Sequence, residues 1–515
     1  MSFFHILLIC FISFSISEDE LIFVLTHFRH GARAPQKYLD LEKHQDYIFD
    51  QWDRPGELTG MGQRMHYLLG LRNRERYVTQ TGFLSEKFDP HEMLIYSSCF
   101  NRTLLSVASQ LQGLYPQSEK LGEKLDEEQR KKAKPIVTLS QKIKDMAEQL
   151  GDQALPDYMT LAPIRMINHL EKKIIIYDIP KCLFRRDEWR QKNIESVPTL
   201  NETVDLFNKK YLPDIKHLYK NYIKDDTGYD IHFVDNFCDA YIAGHTEGKK
   251  MENFNWNDTV KEELLKYCYN FGTLNFRDWI SGDKNRTLAT MEVSKLLREF
   301  MHYAKERIDA SINGEDISEK LEDYSRPKML LISGHDSTIS TWEMFFGKIF
   351  ANNNATAFYR YPYFATQIAL EIYIDKDANK SVYSNYKIRY FFNDEQVPEL
   401  DMSFDVFVNK VENQLWNDER IDEYCGFVDN SEIDELKKQL KEAKEAKASA
   451  EEKYNNLVED DNKVKSDKEL YLVLMIIFSC LTGLFLIAII IFVIKASRKN
   501  SGNNDKGGLL LKNYE

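Results

Sequence analysis

Positive charge is the scarcer sign in this sequence. Over 515 residues, 68 Lys and Arg stand against 81 Asp and Glu, for a net charge of -13 and a pI near 5.6. A duplex nucleic acid, whose binding is dominated by phosphate neutralisation, has no general electrostatic footing here. Any anion site must be a local exception. C-x-x-C pairs with metal spacing are missing as well, which removes the usual frame of a structural zinc site. Apolar residues are not in short supply: 43% of the chain is hydrophobic and 13% aromatic. That excludes a disordered chain and is ample for one large domain or two smaller ones.

The two ends carry the compositional extremes. Residues 1–17 (MSFFHILLICFISFSIS) form an apolar run too short to span a bilayer with ease, followed by Glu18-Asp19-Glu20, and are expected to be a cleaved signal peptide although no Lys or Arg precedes the run. Residues 470–494 are apolar and free of charge, long enough to cross a membrane. Lys495, Arg498 and Lys499 follow, as the positive-inside rule expects of a cytoplasmic flank. The implied organisation is a single-pass type I membrane protein with an ectodomain over 18–430, a stalk over 431–469, the span over 470–494 and a cytoplasmic tail over 495–515. Apart from Cys10 and Cys480, the ectodomain keeps Cys99, Cys182, Cys238, Cys268 and Cys425, an odd number that cannot all pair internally. Sequons at Asn201, Asn257, Asn285, Asn354 and Asn379 lie on the luminal side and are expected glycosylation sites; a sixth opens at Asn101.

Within the ectodomain, LIFVLT is a short apolar run suited to a buried parallel strand, Thr59 to Arg72 has helical spacing, MLIYSS reads as a second strand and Arg102 to Leu114 as a second helix. From about 120 to 310 the spacing is mainly helical, with KKIIIYDIP as a strand-like exception. Strand patterns return at KMLLIS, and ATQIALEIYI and YKIRYFF alternate like antiparallel or edge strands. These elements predict an α/β fold: a central, mostly parallel sheet flanked by helices, built from about 18–120 and 310–430, with a largely helical insertion or cap between. The stalk, free of Gly and Pro, repeats apolar residues at a 3-4 spacing broken by Lys447. It predicts a helix about 55 Å long at 1.5 Å per residue, either a dimeric coiled coil or a solvated single helix.

Chemistry is densest in FRHGARAP, residues 28–35. Two guanidiniums flank a histidine at a strand end, Gly31 allows close backbone approach, and Pro35 stops the strand. Guanidinium forks match phosphate oxygens, and an imidazole between them is placed to attack a phosphorus whose charge they offset. His27 alternates away from His30 and reads as structural. His245, in the helical insertion, reads as core packing.

FRHGARAP resembles the RHGxRxP signature of the histidine acid phosphatases, a branch of the histidine phosphatase superfamily. GELTGMGQRMHYLLG (Gly56 to Gly70), SSCFNRTLLSVASQLQGLY (Ser97 to Tyr115) and LLISGHDST (Leu330 to Thr338) are similar to three further motifs of that family, in its order. The resemblance implies an acid phosphatase acting on phosphate monoesters through a phosphohistidine on His30. Arg29, Arg33, Arg102 and His335 would hold the phosphoryl group, and Asp336 would protonate the leaving alkoxide and later help activate water. No metal or other cofactor is required. A carboxyl with a reference pKa of about 3.9 in that role predicts faster turnover in acid. The sequence departs from the family at Tyr96-Ser97, at Asn101 and at HDST; a glycan on Asn101 would sit on the phosphate pocket, so none is expected there. The resemblance also implies a Cys182–Cys425 disulfide; of the remaining ectodomain cysteines, Cys238 and Cys268 form a second candidate pair, which leaves Cys99 over.

Two readings of other kinds compete: a phytase or inositol-polyphosphate phosphatase of the same family, and a catalytically silent adhesion or receptor module. Asp505 with Leu509-Leu510 looks like a sorting signal read by adaptor proteins. The expected location is a lysosomal or endosomal membrane, or the cell surface, with the catalytic domain luminal or outside. Expected partners are the phosphate monoester, the membrane, a second copy through the stalk and the adaptors, with no nucleic acid.

Overall fold

The computed structural model describes residues 19–36, 52, 54–167, 198–216, 219, 223, 228–249, 256–275, 287–315, 327–351, 358–425, 438–439, 441–452 and 471–477. Two units separate by their internal packing, Met1–Cys425 and Gly426–Glu515. In the first, eight strands make one sheet in the order β3-β2-β4-β1-β5-β6-β7, with β8 on β6. Their ranges are β1 Asp19–Arg29, β2 Met93–Ser98, β3 Arg165–Ile167, β4 Met329–Gly334, β5 Gln367–Asp375, β6 Lys387–Phe392, β7 Glu395–Gln396 and β8 Met402–Ser403.

The first four strands run parallel, and β5 to β8 add an antiparallel half. The sheet is therefore mixed, which corrects the expectation of a mostly parallel one. The reason is visible in the burial of the strands: β6 alternates between buried and half-buried positions, as a strand with one solvated face does, whereas β4 is buried throughout.

Seven helices carry the argument: α1 Gly60–Arg74, α2 Asn101–Leu114, α3 Pro198–Ile215, α4 Ile231–Thr246, α5 Asp258–Leu274, α6 Thr287–Asn313 and α7 Asp336–Phe350. One sheet face packs Leu25, Leu330, Ile332 and Ile368 against residues of α6 and α7 such as Phe300, Trp342 and Phe346. The opposite face packs Val24, Phe28, Ile95 and Leu331 against Val107 and Leu111 of α2. Helices α3, α4 and α5 have an aromatic core of their own, including Phe207, Tyr211, Phe233, Phe237 and Tyr267, and the Cys238–Cys268 disulfide joins α4 to α5.

Register places the chemistry. Arg29 pairs with Gly334 across β1 and β4, and Ser97 with Ser333 across β2 and β4, so the carboxyl ends of three parallel strands are level. The bond from His30 N to Gly334 O (3.0 Å) continues the ladder one residue past β1. Gly31 then crosses the start of α1 so closely that a Cβ would lie 2.7 Å from Gly62 Cα, and only glycine fits on either side of that crossing. Thr59 caps α1 by accepting from Gly62 N (3.1 Å).

β3 falls within the stretch expected to be helical; three residues give too short a pattern to be read in advance. KKIIIYDIP and residues 1–18 lie outside the described residues, as do Cys182 and the Cys425 side chain, and with them the Cys182–Cys425 pair. In the second unit, residues 438–439 and 441–452 are helical, with Lys441–Glu445 and Lys447–Glu451 at 3.9 and 3.7 Å. Of the span expected over 470–494, residues 471–477 are described, as helix. Among the described residues no helix is long and apolar enough to cross a membrane.

Candidate active site

His30 is 1% exposed, just beyond the end of β1. Its Nδ1 lies 2.9 Å from Gly31 O. A carbonyl only accepts, so Nδ1 carries the proton and Nε2 of the neutral ring keeps its lone pair. Burial pushes the imidazole pKa well below its ordinary value, and Arg33, Arg102, Arg29 and His335 push it further the same way. The nucleophile expected from the sequence is thus held neutral.

Arg29 is buried, with Nη2 2.6 Å from Asp336 Oδ2 and Nη1 donating to Pro362 O at 2.6 Å. Its guanidinium lies over the Phe364 ring, 4.3 Å from the centroid. Arg33 is 1% exposed and donates from both Nη atoms to Asp239 of α4, at 2.8 and 3.2 Å. The Nε groups of Arg29 and Arg33 are buried without a hydrogen-bond partner, a costly arrangement in water-free surroundings and a fitting one for an anion that accepts from them. Arg102, in the first turn of α2, stacks over Phe100 at 4.3 Å. Ser106 ties this helix to the β1 loop: its Oγ accepts from Gly31 N (3.1 Å) and donates to Arg102 O (2.6 Å).

His335 follows β4 and Asp336 opens α7. The His335 ring centroid is 5.6 Å from that of His30, and its Nε2 is 2.9 Å from Ser98 Oγ at the end of β2. The Thr338 hydroxyl accepts from His335 N (2.8 Å) and donates to His335 O (2.7 Å), fixing this corner. Burial and then the arginines, led by Arg102, hold His335 well below its ordinary pKa. Asp336 accepts from Ser337 N at 2.8 Å. Burial alone would raise its pKa; Arg29 foremost, then Arg33, the Ser337 N–H and Arg102 outweigh it and leave the carboxyl below its usual value. The sequence-based expectation of a carboxyl near its reference pKa is corrected accordingly: among these arginines Asp336 stays ionised further into acid.

All six residues proposed from the sequence therefore cluster at the carboxyl ends of β1, β2 and β4. His27, as expected, is structural: buried, its Nδ1 accepting from Trp342 Nε1 (3.1 Å), its pKa lowered to about 3 by burial. His245 is not in the core; it is 41% exposed, 4.0 Å from Glu262, because it falls on the last turn of α4 away from the aromatic cluster. Asn101 is exposed and donates to Glu57 Oε1 (3.0 Å) beside Arg102. Asn201, Asn257 and Asn379 are exposed, whereas Asn285 and Asn354 lie outside the described residues. Sequence reasoning missed Asp239, Ser98 and Phe364. Ser98 stood within a quoted motif stretch; Asp239 had no local signal, since its partner is 206 residues away.

A histidine held neutral among arginines at the carboxyl ends of parallel strands is an arrangement of an α/β fold chemically suited to an anionic group such as a phosphoryl. Residues 20–393 match the model of the histidine phosphatase superfamily (branch 2), and the chain belongs to that family. Among curated relatives, the lysosomal acid phosphatase of Xenopus laevis is 38% identical over 97 residues, 19% of this chain and 21% of that protein. The testicular acid phosphatase of Homo sapiens is 37% identical over 105 residues, 20% and 24% of the two chains. The putative acid phosphatase 11 of Caenorhabditis elegans is 41% identical over 104 residues, again 20% and 24%. The chain thus spans between a fifth and a quarter of the length of these relatives. Among solved structures, the phytase of Citrobacter braakii aligns over 78% of this chain and 99% of its own at 12% identity and a TM-score of 0.49. The Hafnia alvei phytase in complex with tartrate aligns over 78% and 98% at 14% and 0.48.

The buried histidines have a consequence for stability. His66, between α1 and α2, has its pKa lowered from 6.5 to about 4 by burial, against the hydrogen bond from its Nδ1 to Gln110 Oε1 (3.1 Å), which raises it. Unfolded, the same imidazole takes up a proton near pH 6.5, so its contribution to stability is full above that pH and is lost as pH falls toward about 4. The apparent Tm of the full chain is expected to drop over this window, and less steeply in His66→Gln. Equal slopes for the two proteins in a calorimetric pH series would contradict it.

Proposed function

We propose that the protein is an acid phosphatase that hydrolyses phosphate monoesters through a phosphohistidine on His30, with Asp336 as general acid. The observation that carries this reading is the neutral His30 ring, its Nδ1 proton engaged by Gly31 O and its Nε2 left as the lone-pair nitrogen, amid three guanidiniums. In the first half-reaction Nε2 forms a bond to phosphorus while the phosphorus–oxygen bond to the alcohol breaks, and Asp336 delivers its proton to the departing oxygen. In the second, a water gives a proton to the Asp336 carboxylate, its oxygen bonds to phosphorus, and the nitrogen–phosphorus bond breaks to return neutral His30. Arg29, Arg33, Arg102 and His335 hold the phosphoryl oxygens through both steps, and this set needs no metal ion to supply positive charge.

The depressed pKa of Asp336 gains a role in this scheme. Arg29 and Arg33 stabilise its charged form. A bound phosphoryl dianion offsets those arginines, so the carboxyl takes up its proton when the substrate that needs it is present. A proton is still required from solution, and turnover should fall as pH rises. The relatives named acid phosphatases support this choice of substrate class.

The chain's ends complete the proposal: a signal peptide over 1–17, a stalk over 431–469, a span over 470–494, and a type I orientation that faces the site to a lysosomal or endosomal lumen or the cell exterior. Glycans on the sequons other than Asn101, the Cys182–Cys425 disulfide, stalk-mediated dimers and adaptor binding at the tail belong to the same reading. The full chain is expected to remain in the membrane pellet after alkaline carbonate extraction, whereas a chain stopped before residue 470 is released; full-length protein in the supernatant would contradict the span.

Two variants of the full chain test the chemistry. His30→Ala is expected to lose about three orders of magnitude or more in kcat with p-nitrophenyl phosphate. Asp336→Asn should lose about 10²–10⁴-fold with an alkyl phosphate, and less with p-nitrophenyl phosphate, whose leaving group needs little protonation. EDTA should change neither. Retained activity in His30→Ala, equal losses on the two substrates in Asp336→Asn, or abolition by EDTA would each sink the mechanism.

A further inference from the structure

Arg33 has five N–H donors, and the partners of three of them define how it is held. Nη1 donates to Ala34 O (3.0 Å) and to Asp239 Oδ2 (3.2 Å), and Nη2 donates to Asp239 Oδ1 (2.8 Å). The carboxylate thus takes the end of the guanidinium, the edge shared by the two Nη atoms. That grip leaves the neighbouring edge, formed by Nε and the second hydrogen of Nη2, and Nε is buried there without a partner. Such an edge is a two-donor fork with the spacing of two phosphoryl oxygens.

Asp239 is itself firmly placed. Its Oδ2 also accepts from Gln36 N (2.9 Å), and the residue before it, Cys238, is bonded to Cys268 of α5. Its side chain is 27% exposed against 1% for Arg33, so the guanidinium is the buried member of the pair and the carboxylate the one nearer solvent. The carboxylate comes from the helical insertion; the arginine comes from the α/β sheet's first loop.

We propose that Asp239 is the positioning residue for Arg33: by gripping the far end of the guanidinium it turns the Nε–Nη2 edge toward the phosphoryl oxygens. The helical insertion thereby sets the aim of a phosphate donor that the α/β core supplies. This rests on the reading that the site takes a phosphoryl group. It assigns Asp239 no contact with substrate, and it differs from a purely structural role, in which Asp239 would only pin α4 to the core.

A double-mutant cycle separates the two. Binding of inorganic phosphate to the full chain is measured by titration calorimetry for the wild type, Asp239→Ala, Arg33→Ala and the double variant, with p-nitrophenyl phosphate kinetics alongside. Asp239→Ala is expected to weaken phosphate binding about tenfold and to raise KM in the wild-type background, and to add nothing once Arg33 is gone. Asp239→Asn keeps the size and one acceptor oxygen and should lose less; it carries the cycle should the alanine variant not fold. Equal losses in both backgrounds, or no loss in the wild type, would overturn the positioning role while leaving the phosphatase reading intact. A wild-type chain that binds no phosphate would overturn both.

Discussion

The parallel pairing of β1 with β4 brings together two strands separated by some three hundred residues and, by register, sets Arg29 level with Gly334. The segments just past the two strand ends are then fixed in space: His30, Gly31 and Arg33 on one side, His335 and Asp336 on the other. A slip of one residue in this ladder would exchange the two faces of β1 and put the residues beyond its end out of level with those beyond β4, because side chains alternate across a strand. The core enforces the register. Leu25 and Leu330 must face α6 and α7 while Val24 and Leu331 face α2.

Given that frame, the site is an electrostatic compromise. The buried guanidiniums of Arg29 and Arg33, with half-buried Arg102 nearby, are expensive without anions, and two carboxylates, Asp336 and Asp239, offset part of the charge. Two histidines stay neutral among them because burial and the arginines both disfavour a further positive charge. Acid acts in opposite directions on catalysis and on stability. The proposed mechanism requires Asp336 to be protonated for leaving-group departure, whereas His27 and His66, forced neutral by burial, make the folded chain less stable as pH falls below 6.5. The useful range lies where the first demand is met before the second dominates.

Much of this was legible in the residues. FRHGARAP and GHDST concentrate reactive side chains at strand ends within a few positions, and short apolar runs before them mark the strands that carry them. The antiparallel half of the sheet was legible in the alternation of YKIRYFF, though not its share of the whole. Asp239 could not be read, because an acidic residue on a helix looks like any solvated one until its partner, 206 residues away, is known. His245 misled for a related reason: helical spacing gives a face, and its place on the last turn of α4 took it out to solvent. β3 was invisible because three residues carry no period.

The central claim is that His30 becomes covalently phosphorylated through Nε2. The direct measurement is to mix the full chain with an isotopically labelled phosphate monoester, quench within the first turnovers, digest under alkaline conditions and map the label by mass spectrometry. The phosphohistidine mechanism predicts an acid-labile, alkali-stable phosphoryl group on the peptide containing His30, absent from His30→Ala. Label on a serine or on Asp336, or turnover with no label on any residue, would contradict it.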